Sequence, residues 1–339
     1  MMALSRRRKV LYALITVALV SGLGVLLLVG ADVYVHWRTQ DVAGVNVWGY
    51  RGAPIGSKPS GEIRVVMLGG STVFGWGLPS HESIPAFLER RLNAAASGRR
   101  YSVVNLGAPG EGAYAFQFEL ADFEYLDYDI VVLYEGYNDL ASITPRGQNN
   151  YLLWRRESPV FRWTGYYPIL PVVLREKSQV LLTGAPGPGD RARFEPGLPT
   201  RAAAGAMAAA AALTSQLGGQ PGGLTPTPAD APVDDECHDT WKRYCGSVRD
   251  AVEWALARNK PVIVIGQPYL SDGHVEQQAN VAAMLRARFG ADGRVRYINL
   301  GHSVDMRDRS IAYDGIHLVA SGNDLIASHL ASPVLEISR

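Results

Sequence analysis

The stretch Ile63–Gly75 reads IRVVMLGGSTVFG, a short apolar run that ends in two glycines and a serine. A brief apolar run bounded by glycine is typical of a strand that is buried on both faces of a parallel sheet. A serine at a strand-to-helix turn flanked by glycines exposes its hydroxyl and leaves backbone N–H groups free beside it. We therefore expect a parallel strand that delivers Ser71 to the edge of a sheet.

The same alternation of strand and helix recurs along the chain. Further strands are predicted at Ser102–Leu106, Ile130–Tyr134, Pro261–Ile265 and Val295–Leu300, with amphipathic helices between them. This alternation predicts a parallel sheet covered by helices on both faces, with ligand sites at the carboxyl ends of its strands. The last helix is expected over 320–330, and it should stop before Pro333.

Residues 141–235 do not follow this alternation of strand and helix. The interruption begins with aromatic residues, namely Trp154, Phe161, Trp163, Tyr166 and Tyr167, and continues with tracts rich in glycine, proline and alanine. This composition is typical of a flexible insertion, in which a short helix is expected at 202–213. The aromatic part either flanks the site and holds a sugar or an acyl chain, or packs onto its own domain or onto a membrane surface.

The N-terminus carries an uncharged run from Val10 to Ala31 that follows the basic cluster Arg6–Lys9. A helix of this length spans about 30 Å, the thickness of the hydrocarbon core of a bilayer. The basic cluster places the N-terminus in the cytoplasm and everything after about residue 32 outside. A cleaved signal peptide is the alternative, because Val29-Gly30-Ala31 offers small residues, although signal h-regions are usually shorter, about 7–15 residues.

These observations predict a single-pass protein of the cytoplasmic membrane with a periplasmic or other extracytoplasmic domain. Residues 1–9 form a cytoplasmic basic segment, 10–31 the transmembrane helix, 32–62 a linker rich in glycine and proline, and 63–335 the globular domain with its insertion at about 141–235. Outside the cytoplasm, Cys237 and Cys245 are able to form a disulfide. Two unpaired thiols are the alternative, and the sequence does not choose between them.

Composition limits the classes of function. Lysine and arginine number 33 and aspartate and glutamate 32, so the formal net charge is +1. Because no excess of cations exists to displace counterions, there is no electrostatic basis for binding nucleic acid. Two cysteines are too few for a four-ligand zinc site, and no H-E-x-x-H or G-x-x-x-x-G-K-[ST] motif occurs. No metal or nucleotide cofactor is therefore predicted.

Polar residues follow the predicted strands and return near the C-terminus. Gly107 follows the second strand in NLGAPG, and Asn138 follows the third in GYND, where its amide can donate two hydrogen bonds. The segment Tyr313–His317 reads YDGIH and places Asp314 three residues before His317. Histidine is the natural general base near neutral pH, and a carboxylate on the same turn can fix its tautomer.

Taken in this order, the blocks around Ser71, Gly107, Asn138 and His317 resemble those of the SGNH hydrolase superfamily, the GDSL-like esterases and lipases. The resemblance implies a flavodoxin-like three-layer α/β/α fold with a five-stranded parallel sheet. It also implies Ser71 as nucleophile, His317 as general base and Asp314 as the residue that orients the base. The implied oxyanion hole consists of the Ser71 N–H, the Gly107 N–H and the Asn138 side chain. One departure is visible, because the family's Gly-Asp-Ser is Gly-Gly-Ser here.

The resemblance implies a serine esterase or acylhydrolase acting on an acyl ester, either an O-acetyl group on a cell-envelope glycan or a lipid ester. Two alternatives use the same fold: an O-acyltransferase acting on an envelope glycan, and a non-catalytic glycan-binding protein. A third alternative is a dinucleotide site, because Gly110–Ala115 fits G-x-G-x-x-A and Glu135 ends the next strand. That alternative leaves the GYND and YDGIH motifs unexplained.

Overall fold

The structure of the protein, a computed structural model, describes residues 5–95, 98–134, 136–140, 158–171, 173–174, 237 and 240–339. Its helices are α1 (Arg6–Thr39), α2 (Ser71–Phe74), α3 (Ile84–Ala95), α4 (Phe116–Asp122), α5 (Tyr137–Leu140), α6 (Pro159–Thr164), α7 (Lys242–Leu256), α8 (Asp272–Phe289) and α9 (Ala320–Ile337). Its strands are β1 (Glu62–Gly69), β2 (Arg100–Asn105), β3 (Ile130–Tyr134), β4 (Val262–Gly266) and β5 (Val295–Asn299). The helix predicted at 202–213, together with Trp154, Glu135 and most of the predicted insertion, lies outside the described residues.

All five strands pair in parallel, in the order β2-β1-β3-β4-β5. This is the flavodoxin-like order, and the predicted fold class is confirmed. β1 lies between β2 and β3, with Val65 aligned to Val103 on one side and to Ile130 on the other. Because the chain leaves β1 for one neighbour and later returns to the other, a crevice opens at the carboxyl ends of β1 and β3.

Apolar cores lie on both faces of the sheet. Side chains alternate along a strand, so Val66 and Leu68 of β1 pack with α4, α7 and α8, whereas Val65 and Met67 pack with α3 and α9. All four side chains are fully buried. The sheet is thus the middle of three layers, and the strand ends that approach the crevice rest on a closely packed base.

The last helix is longer than predicted. α9 runs through Pro333 to Ile337 instead of stopping before the proline. Proline removes one backbone hydrogen bond, which costs about 3 kcal/mol in a helix interior. Leu330 and Val334, on either side of the proline, are fully buried in the core. Burial of such side chains contributes about 1.5–3 kcal/mol each, which offsets the loss.

Among the described residues, α1 is the one helix that is long and apolar enough to cross a membrane. It includes the predicted span 10–31 and continues beyond it to Thr39. Its apolar side chains are exposed in the isolated chain. Length and composition are therefore those of a membrane span, and the helix does not end where the apolar run ends.

The segment predicted as a linker is packed onto the domain. The guanidinium of Arg51 donates to four carbonyl oxygens, those of Gln40, Val42, Gly44 and Leu78, at 2.8–3.2 Å. Burial lowers the pKa of Arg51 to about 10, so the side chain is still charged at neutral pH. The residues that follow α1, within the linker expected over 32–62, are thus tied to the loop that follows α2.

Cys237 and Cys245 form a disulfide, which decides the question that the sequence left open. Their Cα atoms lie 6.2 Å apart, within the usual range of about 4.4–6.8 Å. Cys245 lies on the buried face of α7. The bond therefore ties the residues before α7 to the core side of that helix.

Replacing both cysteines, as in Cys237→Ser with Cys245→Ser, should lower the free energy of unfolding by about 2–3 kcal/mol, the loop-closure entropy of so short a loop. Denaturant unfolding of the full chain in detergent, monitored by tryptophan emission, measures the change. Reductant should destabilise the wild-type chain by a similar amount and leave the variant unchanged. Equal midpoints for all samples would contradict the bond.

Candidate active site

A continuous hydrogen-bonded chain joins Asp314, His317 and Ser71. The Nε2 atom of His317 lies 2.8 Å from the Ser71 Oγ, and the Nδ1 atom lies 2.6 Å from the Asp314 Oδ2. Ser71 begins α2 directly after β1, and the other two residues lie between β5 and α9. The structure therefore brings together the three residues that the sequence predicted as nucleophile, base and orienting carboxylate.

The turn that carries the histidine is closed by local hydrogen bonds. The second oxygen of Asp314 accepts the N–H groups of Ile316 at 3.0 Å and of His317 at 2.7 Å. Gly315 between them has φ +87°, a left-handed conformation that glycine adopts without strain. The Tyr313 N–H donates to the His317 carbonyl at 3.0 Å, and the tyrosine ring stacks on the imidazole with 5.8 Å between centroids. Both rings are thus fixed in orientation.

The carboxylate of Asp314 is suited to hold a positive imidazole. Burial raises its pKa, but the hydrogen bonds and charge of His317, with the Ile316 N–H, outweigh burial and hold the pKa below the usual value. Asp314 is therefore ionised at neutral pH. Its side chain is 16% exposed and that of His317 is 19% exposed, so the pair remains reachable from solvent.

Two glycines allow Ser71 its position. A Cβ on Gly69 would lie 2.2 Å from the Tyr134 carbonyl oxygen, so the end of β1 closely approaches the end of β3. Gly75 has φ +77° and ends α2. Because Ser71 is the first residue of the helix, its N–H has no acceptor within the helix and points outward from the first turn. This is the position that the predicted first oxyanion donor requires.

The backbone N–H of Gly107 has a different partner from the one predicted. Its N–H, expected to face the oxyanion, donates instead to the Asn105 Oδ1 at 2.9 Å. Its contact with α2 is close, because a Cβ at this position would lie 2.4 Å from the Phe74 nitrogen. The turn after β2 thus touches the helix that carries Ser71, while the single hydrogen of the Gly107 amide is engaged within that turn.

Asn138 is the second residue of α5, which follows the carboxyl end of β3. Its Nδ2 donates to the Glu111 carbonyl at 2.7 Å. A side-chain amide nitrogen carries two hydrogens and is able to donate two hydrogen bonds. The bond fixes the direction of the Asn138 amide. It also ties the turn after β3 to the loop after β2.

Two buried glutamines support this turn, and the sequence analysis missed both. The Tyr137 N–H donates to the Gln267 Oε1 at 2.9 Å, and the Gln277 amide donates to the Gly136 carbonyl at 3.1 Å. Glutamine is common on helices and in loops, so neither residue stood out. The available signal was position, because Gln267 directly follows β4 and thus lies at the same edge of the sheet as Asn138.

Asp139 is a further residue of the turn that was quoted in the motif but given no role. Its Oδ2 accepts the Ala113 N–H at 2.9 Å, and a Cβ on Gly112 would lie 2.6 Å from its Oδ1. A carboxylate therefore fills the space beside the glycine-rich loop, where a dinucleotide would need to place its pyrophosphate. The Asp139 carboxylate and a pyrophosphate placed beside it would both be negative and would repel each other, which counts against the dinucleotide alternative.

The described part of the aromatic insertion packs on the chain that follows α1. Phe161 and Tyr167 are buried, with 6.2 Å between their ring centroids, and the Tyr167 N–H donates to the Val47 carbonyl at 2.8 Å. Trp163 is 90% exposed. A role of this insertion in holding a sugar or an acyl chain stays a prediction.

Burial raises the pKa of Asp139 to about 6, and the hydrogen bond from Ala113 only partly opposes this. Between the unfolded value near 3.9 and the folded value, the native state binds more protons than the unfolded state, so this group's contribution to stability falls as pH rises. Asp139→Asn removes the titration. The unfolding free energy of the wild type should therefore fall relative to the variant from about pH 4 to about pH 6 and then level off.

Denaturant titrations at a series of pH values measure this difference. Asp250→Asn on α7, whose side chain is 45% exposed, serves as the control. Parallel stability curves for the wild type and Asp139→Asn would contradict the burial of the Asp139 carboxyl.

Comparison with known proteins found similarity at the level of structure. Neither a family model nor a curated protein matches the sequence. A psychrotrophic esterase from Pseudoalteromonas sp. is similar with a TM-score of 0.43 and 12% identity, covering 80% of this chain and 97% of that one. A GDSL-like lipase from Bacteroides thetaiotaomicron gives 0.43 and 14%, covering 83% and 92%.

A lipase/acylhydrolase from Enterococcus faecalis gives a TM-score of 0.41 and 13% identity, covering 80% of this chain and 95% of that one. In its fold, the chain is similar to GDSL-like lipases, esterases and acylhydrolases.

Proposed function

We propose that the protein is a serine esterase or acylhydrolase of the GDSL type. The observation that carries the proposal is the run of hydrogen bonds from Asp314 through His317 to Ser71, at 2.6 and 2.8 Å. A serine, an imidazole and a carboxylate in this order form the apparatus of nucleophilic acyl transfer. Its position at the crevice between β1 and β3 is where open parallel sheets bind ligands.

The reaction proceeds through an acyl-enzyme. The His317 Nε2 takes the proton of the Ser71 hydroxyl as the Oγ attacks the carbonyl carbon of the ester, and Asp314 stabilises the imidazolium that results. The imidazolium returns the proton to the leaving alcohol as the ester C–O bond breaks. A water molecule then loses a proton to His317 and attacks the acyl carbon. The imidazolium returns that proton to the Ser71 Oγ as the acyl–Oγ bond breaks, which releases the carboxylic acid and restores Ser71 and neutral His317.

The oxyanion that forms in both steps requires donors. The Ser71 N–H and the Asn138 side chain supply two. The Gly107 N–H becomes the third by exchanging its bond with the Asn105 oxygen for one with the oxyanion, because a charged acceptor forms a stronger hydrogen bond than a neutral amide. Such donors are typically worth about 10²–10³ in rate each.

We further propose that the domain lies outside the cytoplasm and is held by α1 as a single membrane span. The basic residues Arg6–Lys9 precede the apolar run and favour a cytoplasmic N-terminus. The disulfide between Cys237 and Cys245 supports an oxidising compartment. The substrate in this setting is an acyl ester of the cell envelope, carried by a glycan or by a lipid.

A fluorophosphonate probe should label the full-length protein, and Ser71→Ala should abolish both labelling and hydrolysis of a short-chain ester. Ser247→Ala on α7 is the matched control and should retain both. The variants are compared by gel fluorescence and by release of free acid. Labelling of Ser71→Ala at the wild-type level would refute the nucleophile, and absence of any labelling in the wild type would favour a non-catalytic glycan-binding protein.

Hydrolysis and transfer are separated in the same assay by adding an envelope glycan to the acyl donor. Free acid is the expected product. Acylated glycan in excess of free acid would replace the hydrolase proposal with an O-acyltransferase that uses the same residues.

Asn138→Ala should lower kcat for ester hydrolysis by about 10²–10³-fold, because the oxyanion loses a preorganised donor. The value of KM should change little, since the bond is made in the transition state. Asn280→Ala, at a partly exposed asparagine of α8, is the control. An unchanged kcat for Asn138→Ala would remove this residue from the oxyanion hole.

A further inference from the structure

The last two turns of α1 have two different faces. Asp32 and His36 are buried against the domain, with 4% and 0% exposure. Tyr34 and Trp37 lie on the opposite face and are 60% and 65% exposed. A helix that only connected a span to a free domain would not bury one side in this way, so the end of α1 belongs to both the anchor and the domain.

The buried face is held by charged and polar contacts. The His36 ring nitrogens lie 2.7 Å from the carbonyl oxygens of Val45 and of Tyr167. The Asp32 Oδ2 lies 3.5 Å from the His36 Nε2, one helical turn away. The helix end is therefore fixed in orientation relative to the domain.

Asp32 also fixes the position of the segment after α6. It accepts hydrogen bonds from the Tyr166 hydroxyl and from the Leu170 N–H, the latter at 2.5 Å. Asp32 is the first residue after the apolar run that ends at Ala31. The segment from Tyr166 to Leu170 is thus held at the level where α1 leaves the hydrocarbon of the bilayer.

The exposed aromatic residues of α1 lie at the same level. A helix rises about 1.5 Å per residue, so the Cα atom of Tyr34 lies about 5 Å and that of Trp37 about 9 Å beyond Ala31. Helical side chains point back toward the N-terminus, so the Trp37 ring lies closer to the hydrocarbon than its Cα atom does. The polar interface of a bilayer extends about 5–8 Å on each side of the hydrocarbon core. Tryptophan and tyrosine are enriched at that depth, because their rings are apolar and their tips are polar.

α6 presents a second exposed apolar face beside this end of α1. Phe161 packs inward, whereas Val160 is 47% and Trp163 is 90% exposed, and Leu174 farther along is 58% exposed. Arg162, next to the tryptophan, is exposed as well. A tryptophan so fully exposed gains nothing from the folded domain itself. A neighbouring guanidinium is suited to a lipid phosphate.

We propose that these residues form one interfacial surface, defined as Tyr34, Trp37, Val160, Trp163 and Leu174, which lies in the headgroup layer of the membrane and seats the domain directly on the bilayer. The proposal rests on the membrane anchoring proposed above. The occupant is lipid because the surface is continuous with the span: Asp32 joins both parts at the level where the apolar run ends.

The contacts that hold the interfacial surface extend to the edge of the sheet that carries Ser71. Arg51, which binds the carbonyl oxygens of the turn after α1, also lies over the Phe74 ring, 4.3 Å from its centroid. Phe74 belongs to α2, the helix that begins with Ser71. A domain seated in this way keeps its nucleophile at a constant distance from the membrane surface, which suits an ester presented at that surface.

Quenching of tryptophan fluorescence in bilayers tests whether the interfacial surface of the full-length protein lies in the membrane. Wild type, Trp163→Phe, Trp37→Phe and Trp254→Phe are reconstituted in phosphatidylcholine–phosphatidylglycerol bilayers with or without brominated acyl chains. The emission of each tryptophan is obtained by subtracting the variant from the wild type. The control Trp254 lies on α7 and is covered by Arg258, 3.7 Å from its ring.

Brominated lipid should remove the emission of both Trp163 and Trp37 and leave that of Trp254 unchanged. Loss for Trp37 with no loss for Trp163 would overturn the seat while leaving the anchor intact. No loss for either would overturn the anchoring itself. Trp163 shielded from aqueous iodide but not quenched by brominated lipid would mean that protein, or a second copy of the chain, covers the surface instead, which also overturns the proposal. No readout involves ester hydrolysis, so a failure of the catalytic proposal remains separate.

Discussion

The parallel pairing of β1 with both β2 and β3 is the constraint on which the rest of the structure depends. It places three strand ends at one edge of the sheet, and each end delivers a polar turn to the same crevice. The closely packed faces of the sheet keep these ends from moving independently. The ends of β1 and β3, which precede Ser71 and Asn138, therefore lie side by side, with Gly69 aligned to Tyr134.

Tertiary contacts at this edge are mostly backbone hydrogen bonds to side chains. The Asp314 carboxylate closes its own turn, Asn138 binds the Glu111 carbonyl, and Gln277 binds the Gly136 carbonyl. A buried polar group without such a partner costs about 1–3 kcal/mol, so each contact also specifies one arrangement of its loop. The raised pKa of Asp139 shows the remaining cost of placing a carboxylate there.

The apolar helix α1 and the candidate active site share supports. Arg51 gathers the carbonyl oxygens after α1 and rests on α2, and Asp32 and His36 bind the segment after α6. On a free linker, the membrane-anchored hydrolase proposed above would sample many orientations, and binding of a substrate at a surface would then cost orientational entropy. The contacts between α1 and the domain remove part of that cost in the proposed arrangement.

The sequence by itself determined the features that depend on neighbouring residues. Short apolar runs placed all five strands to within two residues, the uncharged run predicted the long apolar helix α1, and Asp-x-x-His predicted a turn that is closed by local hydrogen bonds. Only the tertiary structure decided the rest. The approach of His317 to Ser71 joins residues 246 apart, the bond from Tyr166 to Asp32 joins residues 134 apart, and α9 passes Pro333 because its flanking residues are buried. The Gly107 N–H binds the Asn105 Oδ1 only two residues away, but the Asn105 amide donates in turn to the Val73 carbonyl 32 residues away. A backbone pattern records local preference, whereas distant partners depend on which surfaces packing brings together.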